Sequence, residues 1–71
     1  MLVIGCNYHL TWQSNKAMRF VLTELKGNQA KVKTRTTKKE FWCNKEDLIF
    51  IQTYHNRVKA RKIMEQTEVM Q

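Results

Sequence analysis

Short runs of alternating apolar and polar residues fill the first fifty positions of the chain, the pattern of strands with one buried face. Tyr8-His9-Leu10-Thr11-Trp12 alternates, and a loop through Ser14 and Asn15 leads to Met18-Arg19-Phe20-Val21-Leu22-Thr23. Gly27-Asn28 marks a turn, and Ala30-Lys31-Val32-Lys33-Thr34-Arg35 then places a base at every second position. Those bases stand on one face of a strand, and that face is not the core. Phe41 and Cys43 flank Trp42 in the next run. Asn44, with Asp47 three residues on, predicts an N-cap and one helical or 3₁₀ turn before a buried strand, Leu48-Ile49-Phe50-Ile51. Beyond residue 51 the alternation stops. Tyr54, Val58, Ala60, Ile63 and Met64 scatter around a helical wheel, which predicts a polar, weakly amphipathic C-terminal helix. The division is residues 1–51 as a β domain and 52–71 as a basic helix or tail.

Parity restricts the hairpins. A two-residue loop at Gly27-Asn28 sets Leu22 against Lys33 and Phe20 against Arg35, mixing core and basic faces, so that register is rejected. A three-residue loop, Lys26-Gly27-Asn28, instead pairs Leu22 with Val32, Phe20 with Thr34, Val21 with Lys33 and Arg19 with Arg35, and is the expected form. If Phe41 and Cys43 point inward, the following hairpin sets Arg35 against Glu40 and Lys33 against Trp42, across a loop of Thr37-Lys38 or Thr36 to Lys39. Trp42 then lies on the basic face.

This order of elements, with three meandering strands, a short fourth, one helical turn and a final strand, resembles an SH3-like small β-barrel, as in Tudor-like and KOW-like modules. The resemblance covers roughly residues 8 to 51. It implies a five-stranded barrel with one helical turn before the last strand and a C-terminal α-helix, a fold that serves peptide, nucleic-acid and ribosomal-RNA binders alike. No clustered aromatic cage and no proline-flanked groove is legible, so neither methyl-lysine nor PxxP recognition is expected. An OB-like barrel is the competing fold, but some fifty residues are short for it, and its usual helix between strands is missing.

Seventy-one residues allow one small domain and exclude enzymes that need a separate cofactor lobe. Thirteen Lys and Arg against six Asp and Glu give a formal net charge of +7, a field that favours anionic partners. The excess is regional. From Lys26 to Lys45 the bases Lys26, Lys31, Lys33, Arg35, Lys38, Lys39 and Lys45 meet only Glu40, and Arg57, Lys59, Arg61 and Lys62 form a second cluster. Two cysteines, Cys6 and Cys43, are far below the density of a disulfide scaffold and read as reduced thiols of a cytoplasmic protein. The start MLVIGC lacks the basic region of a signal peptide, and no apolar run reaches membrane-spanning length.

The candidate site is the outward face carrying Arg19, Lys31, Lys33 and Arg35, with Trp42 among them and Lys38 and Lys39 at the loop tip. Such cations neutralise phosphates, and an exposed indole stacks on a base for about 1–3 kcal/mol. The plain alternative is a solubilising strand face, with Trp42 covered by the C-terminal helix or by the Lys33 stem. The Arg57–Lys62 run points all round its helix axis, which argues for a solvated helix and against a membrane-facing one. Cys6 and His9 have the spacing of one metal-ligand pair, but Cys43 and His55 do not make a second, so neither metal nor cofactor is expected. No nucleophile, base and orienting group assemble, so the chain is expected not to be an enzyme. The sequence therefore points to a module binding RNA or DNA with low sequence specificity. The alternative is a protein-interaction module centred on Trp42 and Val21, whose partner is an acidic protein or a second copy of the chain. The expected state is a monomer or homodimer.

Overall fold

The computed structural model of the protein describes residues 2–69, with side chains through residue 66. Five strands are present: β1 (Asn7–Leu10), β2 (Phe20–Lys26), β3 (Gln29–Thr34), β4 (Glu40–Asn44) and β5 (Leu48–Phe50). A 3₁₀ turn (Lys45–Asp47) joins β4 to β5, and α1 (Tyr54–Val69) follows. All strand pairs are antiparallel, and the order β4-β3-β2-β1-β5 makes one mainly β sheet that is not closed, with β4 and β5 at its edges.

The alternation in the sequence maps onto the two faces. Tyr8, Leu10, Phe20, Leu22, Ala30, Val32 and Cys43 are buried on the inner face, with Phe41, Leu48 and Phe50 packed against them. Val3 and Cys6 from the N-terminal segment and Ala60 from α1 complete the core. The helix therefore packs on part of the inner face through Ala60, with Ile63 beside it. At Gly5, φ is +99°, a backbone conformation that favours glycine, while a Cβ there would meet only the Ile63 Cδ1 at 3.4 Å, an ordinary contact.

α1 is held by more than apolar contact. Asn56, 2 % exposed, accepts from the Asn7 backbone N–H at 2.8 Å and donates to the carbonyls of Asn7 at 2.9 Å and Ile51 at 2.8 Å. One amide thus ties the helix to β1 and to the end of β5. The scatter of apolar residues around the helical wheel does not reveal this anchor, because the docking face is made of Asn56, Ala60 and Ile63 and its main attachment is polar.

Both hairpins depart from expectation. β2 and β3 meet in a two-residue loop, since Lys26 pairs with Gln29, yet Leu22 still faces Val32, Phe20 faces Thr34 and Val21 faces Lys33. A β-bulge between Leu22 and Glu24 absorbs the one-residue difference, so the argument against a two-residue loop fails: it assumed unbroken alternation. Gly27 takes φ 57°, at the first central position, where type II′ hairpins place glycine. Between β3 and β4 the register is Lys33 with Glu40, Val32 with Phe41 and Lys31 with Trp42, two residues from the predicted pairing. The loop is longer than predicted because Thr34 closes it. Its N–H donates to the Lys39 carbonyl at 2.8 Å, its hydroxyl accepts from the Lys39 N–H at 2.9 Å, and Lys38 turns the corner at φ 62°. A shift of two preserves parity, so Phe41 and Cys43 face inward as the alternation requires.

Three smaller expectations also change. β1 ends at Leu10, and Trp12 lies outside it, 59 % exposed. The Asn44 side chain caps nothing; its Oδ1 accepts from Gln29 Nε2 at 2.8 Å. β5 is an edge strand with Ile49 exposed, and only Ile51 beyond it is fully buried, so the predicted buried strand is half-buried.

Cys6 and Cys43 are free, buried thiols. Burial pushes both thiols above their ordinary value, with the Lys59 charge opposing this at Cys6 and the Asp47 charge adding to it at Cys43. Because the folded state holds these protons more tightly than the unfolded chain, this contribution is fully present below about pH 8.5 and is lost as pH rises through the folded values. Urea unfolding at stepped pH is expected to show stability falling above about pH 8.5. A double Cys6→Ala, Cys43→Ala protein, less stable throughout, is expected to lose this part of the slope. An unchanged slope would assign the alkaline loss to other groups, of which Tyr8, also pushed up by burial, is the first to test.

Candidate functional site

The outer face of the sheet is built by the residues between the core positions. Cross-strand register places Glu40, Lys33, Val21 and Asn7 in one row from β4 to β1. Trp42 stands opposite Lys31 in the next. Arg35 leaves β3 but remains tied to the residue preceding β2, its backbone N–H donating to the Arg19 carbonyl at 3.1 Å. α1 packs on the inner face and does not cover Trp42, as the plain alternative supposed; the cation over the Trp42 ring is Lys31.

The seven predicted site residues divide into three groups. Lys31 and Trp42 come together, but with Glu40: the Lys31 ammonium lies 3.3 Å from the Glu40 carboxylate and 5.9 Å from the Trp42 ring centre. Trp42 stays 43 % exposed, yet its neighbouring cation is already partnered. Arg19, Lys33 and Arg35 make up the second group. Among the described residues the one ion pair is Lys31–Glu40, so none of these three is ion-paired; Lys33 still stands opposite Glu40 in the register, whereas Arg19 and Arg35 are neighbours across the hairpin with no carboxylate in their shared cleft. Like charges set opposite one another on a sheet are destabilising. Lys38 and Lys39 form the third group, exposed on the loop 35–39 away from the sheet face.

The segment from Thr11 to Arg19 is shaped by Gln13, which is 8 % exposed. Its Oε1 accepts from the Leu10 N–H at 2.6 Å, and its Nε2 donates to the carbonyls of Asn15 at 2.7 Å and Met18 at 3.0 Å. Opposite this loop lies the loop 35–39. Between them runs an open cleft of about 650 Å3 that Arg19 and Arg35 line together with Met18. A second groove, about 320 Å3, shares Asn15 and Met18 with it and is lined by Trp12, Phe20 and Phe41. The Trp12 and Phe41 ring centres are 6.1 Å apart at 49°, and Phe20 meets Phe41 edge-on at 5.7 Å.

Sequence reasoning missed this aromatic cluster and expected none. Trp12 and Phe41 are far apart in the chain, and only the β2–β3–β4 meander brings them together. The available signal was Trp12 itself, a large apolar residue just beyond a short strand, next to a loop rich in Ser and Asn.

Cys6 and His9 do not converge, since Cys6 is in the core and His9 alternates with buried Tyr8 onto the outer face. Among the described residues no three His, Cys, Asp or Glu side chains gather into a metal-binding group, and no helix is long and apolar enough to cross a membrane. Comparison with protein-family models, curated proteins and solved structures finds no match to this chain.

Proposed function

We propose that the protein is a non-enzymatic nucleic-acid-binding module that holds the phosphate chain on its outer sheet face through Arg19, Lys33 and Arg35, with Lys38 and Lys39 adding charge at the rim. One observation carries this reading: Arg19, just before β2, and Arg35, just after β3, are joined by a backbone hydrogen bond and line one open cleft, and neither makes an ion pair among the described residues. That arrangement costs stability by itself and is relieved by a bound polyanion. Contacts of this kind are to phosphate rather than base edges, which accounts for low sequence specificity. Trp42 contributes its open area next to the Lys31–Glu40 pair, and the charge of Lys31 is discounted because Glu40 already holds it. The strand order supports the SH3-like reading in its finer form: a four-strand meander, a 3₁₀ turn and a fifth strand returning to β1 are the succession in which such a barrel is laid down. The free, buried thiols Cys6 and Cys43 fit a cytoplasmic setting.

The test is fluorescence anisotropy of labelled single-stranded RNA, single-stranded DNA and duplex DNA at about 50 and 200 mM salt. Micromolar binding is expected at the lower salt, falling steeply at the higher. Arg19→Ala and Lys33→Ala are each expected to weaken binding to all sequences alike and to flatten the log–log salt slope by about one. Lys31→Ala is expected to flatten the salt slope less, since the Lys31 ammonium is engaged by Glu40 and is not free for a phosphate. If none of the three nucleic acids binds at about 50 mM salt, the proposal falls and the protein-interaction reading, with an acidic partner or a second copy, takes its place.

A further inference from the structure

We infer that the groove of Trp12, Phe20 and Phe41 receives a base from an unpaired strand while the adjoining Arg19–Arg35 cleft holds its phosphates, so that the protein selects single-stranded over duplex nucleic acid. The inference rests on the nucleic-acid reading above and assigns it a second contact surface and a ligand form.

Three observations support it. Trp12 is the most open of the aromatic residues around this groove, 59 % exposed, and its ring is tilted 49° from Phe41 rather than stacked on it. A free indole face binds a planar base by stacking, and every base has such a face. The loop carrying Trp12 is already ordered by the buried Gln13 amide and its three hydrogen bonds, so the platform exists before the ligand arrives and little ordering cost remains. The groove, at about 320 Å3, shares Asn15 and Met18 with the arginine cleft, and its lining contains no carboxylate. An open, mainly apolar groove beside two arginines that make no ion pair among the described residues matches a nucleotide, which pairs a flat base with an anionic phosphate. A duplex cannot use the slot, because its bases are stacked on both faces. This also distinguishes the two tryptophans: Trp42 lies against the Lys31–Glu40 pair, whereas no ion pair of the described residues adjoins Trp12.

The experiment uses the full chain carrying Trp42→Phe, which leaves Trp12 as the sole tryptophan. Titration at about 50 mM salt with an unstructured oligothymidine is expected to quench Trp12 emission saturably, while a duplex of the same length and inorganic polyphosphate bind without quenching. In the otherwise unaltered protein, Trp12→Ala is expected to weaken oligothymidine binding roughly tenfold and to change duplex binding less than about twofold. Trp12→Phe, which keeps a ring, is expected to recover most of the loss. Circular dichroism and the thermal midpoint check that Trp12→Ala folds, as an exposed residue outside the strands should allow. Binding by anisotropy with silent Trp12 emission, or equal weakening of single strand and duplex by Trp12→Ala, overturns this inference and leaves the basic-face reading standing. Saturable quenching by polyglutamate with none by oligothymidine also overturns it, in favour of an acidic peptide in the groove. Absence of all nucleic-acid binding overturns both.

Discussion

Replacing Asn56 by leucine is expected to lower the unfolding free energy by about 3 kcal/mol. The side chains are similar in size, so the loss is one of hydrogen bonding. The Asn7 N–H, the Asn7 carbonyl and the Ile51 carbonyl lose the partner that Asn56 supplies at 2.8 to 2.9 Å in a nearly fully buried position. A buried polar group left without a partner costs about 1–3 kcal/mol, and water entering at the end of β1 recovers part of the sum. A domain of this length has a total stability of roughly 4–10 kcal/mol. The variant is therefore expected to lose a large share of it, with a thermal midpoint lower by more than about 10 °C. The exposed Arg61→Ala on the same helix is expected to stay within about 0.5 kcal/mol of the parent. Urea unfolding of the three proteins decides the matter. If Asn56→Leu unfolds at the parent's midpoint, the helix is held by Ala60 and Ile63 alone.

The second large effect is on binding and carries the opposite sign for stability. Arg35→Glu turns the repulsive pair with Arg19 into an attractive cross-strand pair, which is expected to raise stability by a few tenths of a kcal/mol. The same change removes one phosphate contact and ties up a second cation. Affinity for nucleic acid at about 100 mM salt is expected to fall roughly thirtyfold, and the salt slope to flatten by about two. A fold made tighter while its affinity collapses would identify the Arg19–Arg35 juxtaposition as a feature kept for binding at the expense of stability. Unchanged affinity with raised stability would show instead that the two arginines face solvent without a role.

The alternation of Lys31, Lys33 and Arg35 with Ala30, Val32 and Thr34 determined by itself which side of β3 is basic and which is core, because side chains on a strand alternate whatever the strand pairs with. It likewise determined that Phe41 and Cys43 point inward with Trp42 between them, and a register error of two left that conclusion intact. The basic excess and the 3₁₀ turn before β5 were legible for the same reason: each depends on residues close together in the chain. Tertiary structure decided what depends on distant ones. Leu22 and Leu25, three apart, both reach the core only because the chain inserts an extra residue between them, and strict alternation gives no place for that bulge. Closure of the loop 35–39 by Thr34 moved Trp42 from Lys33 to Lys31 and brought Glu40 within reach of Lys31, turning a predicted binding cation into a partnered one. Asn56 looked like one more polar helical residue until β1 and Ile51 supplied the groups it bonds. Trp12 and Phe41 became neighbours only when β2 and β3 had folded between them and β4 had carried Phe41 back. Period and charge are local properties carried by the residues themselves, whereas partnership is set by which distant backbone the fold brings alongside.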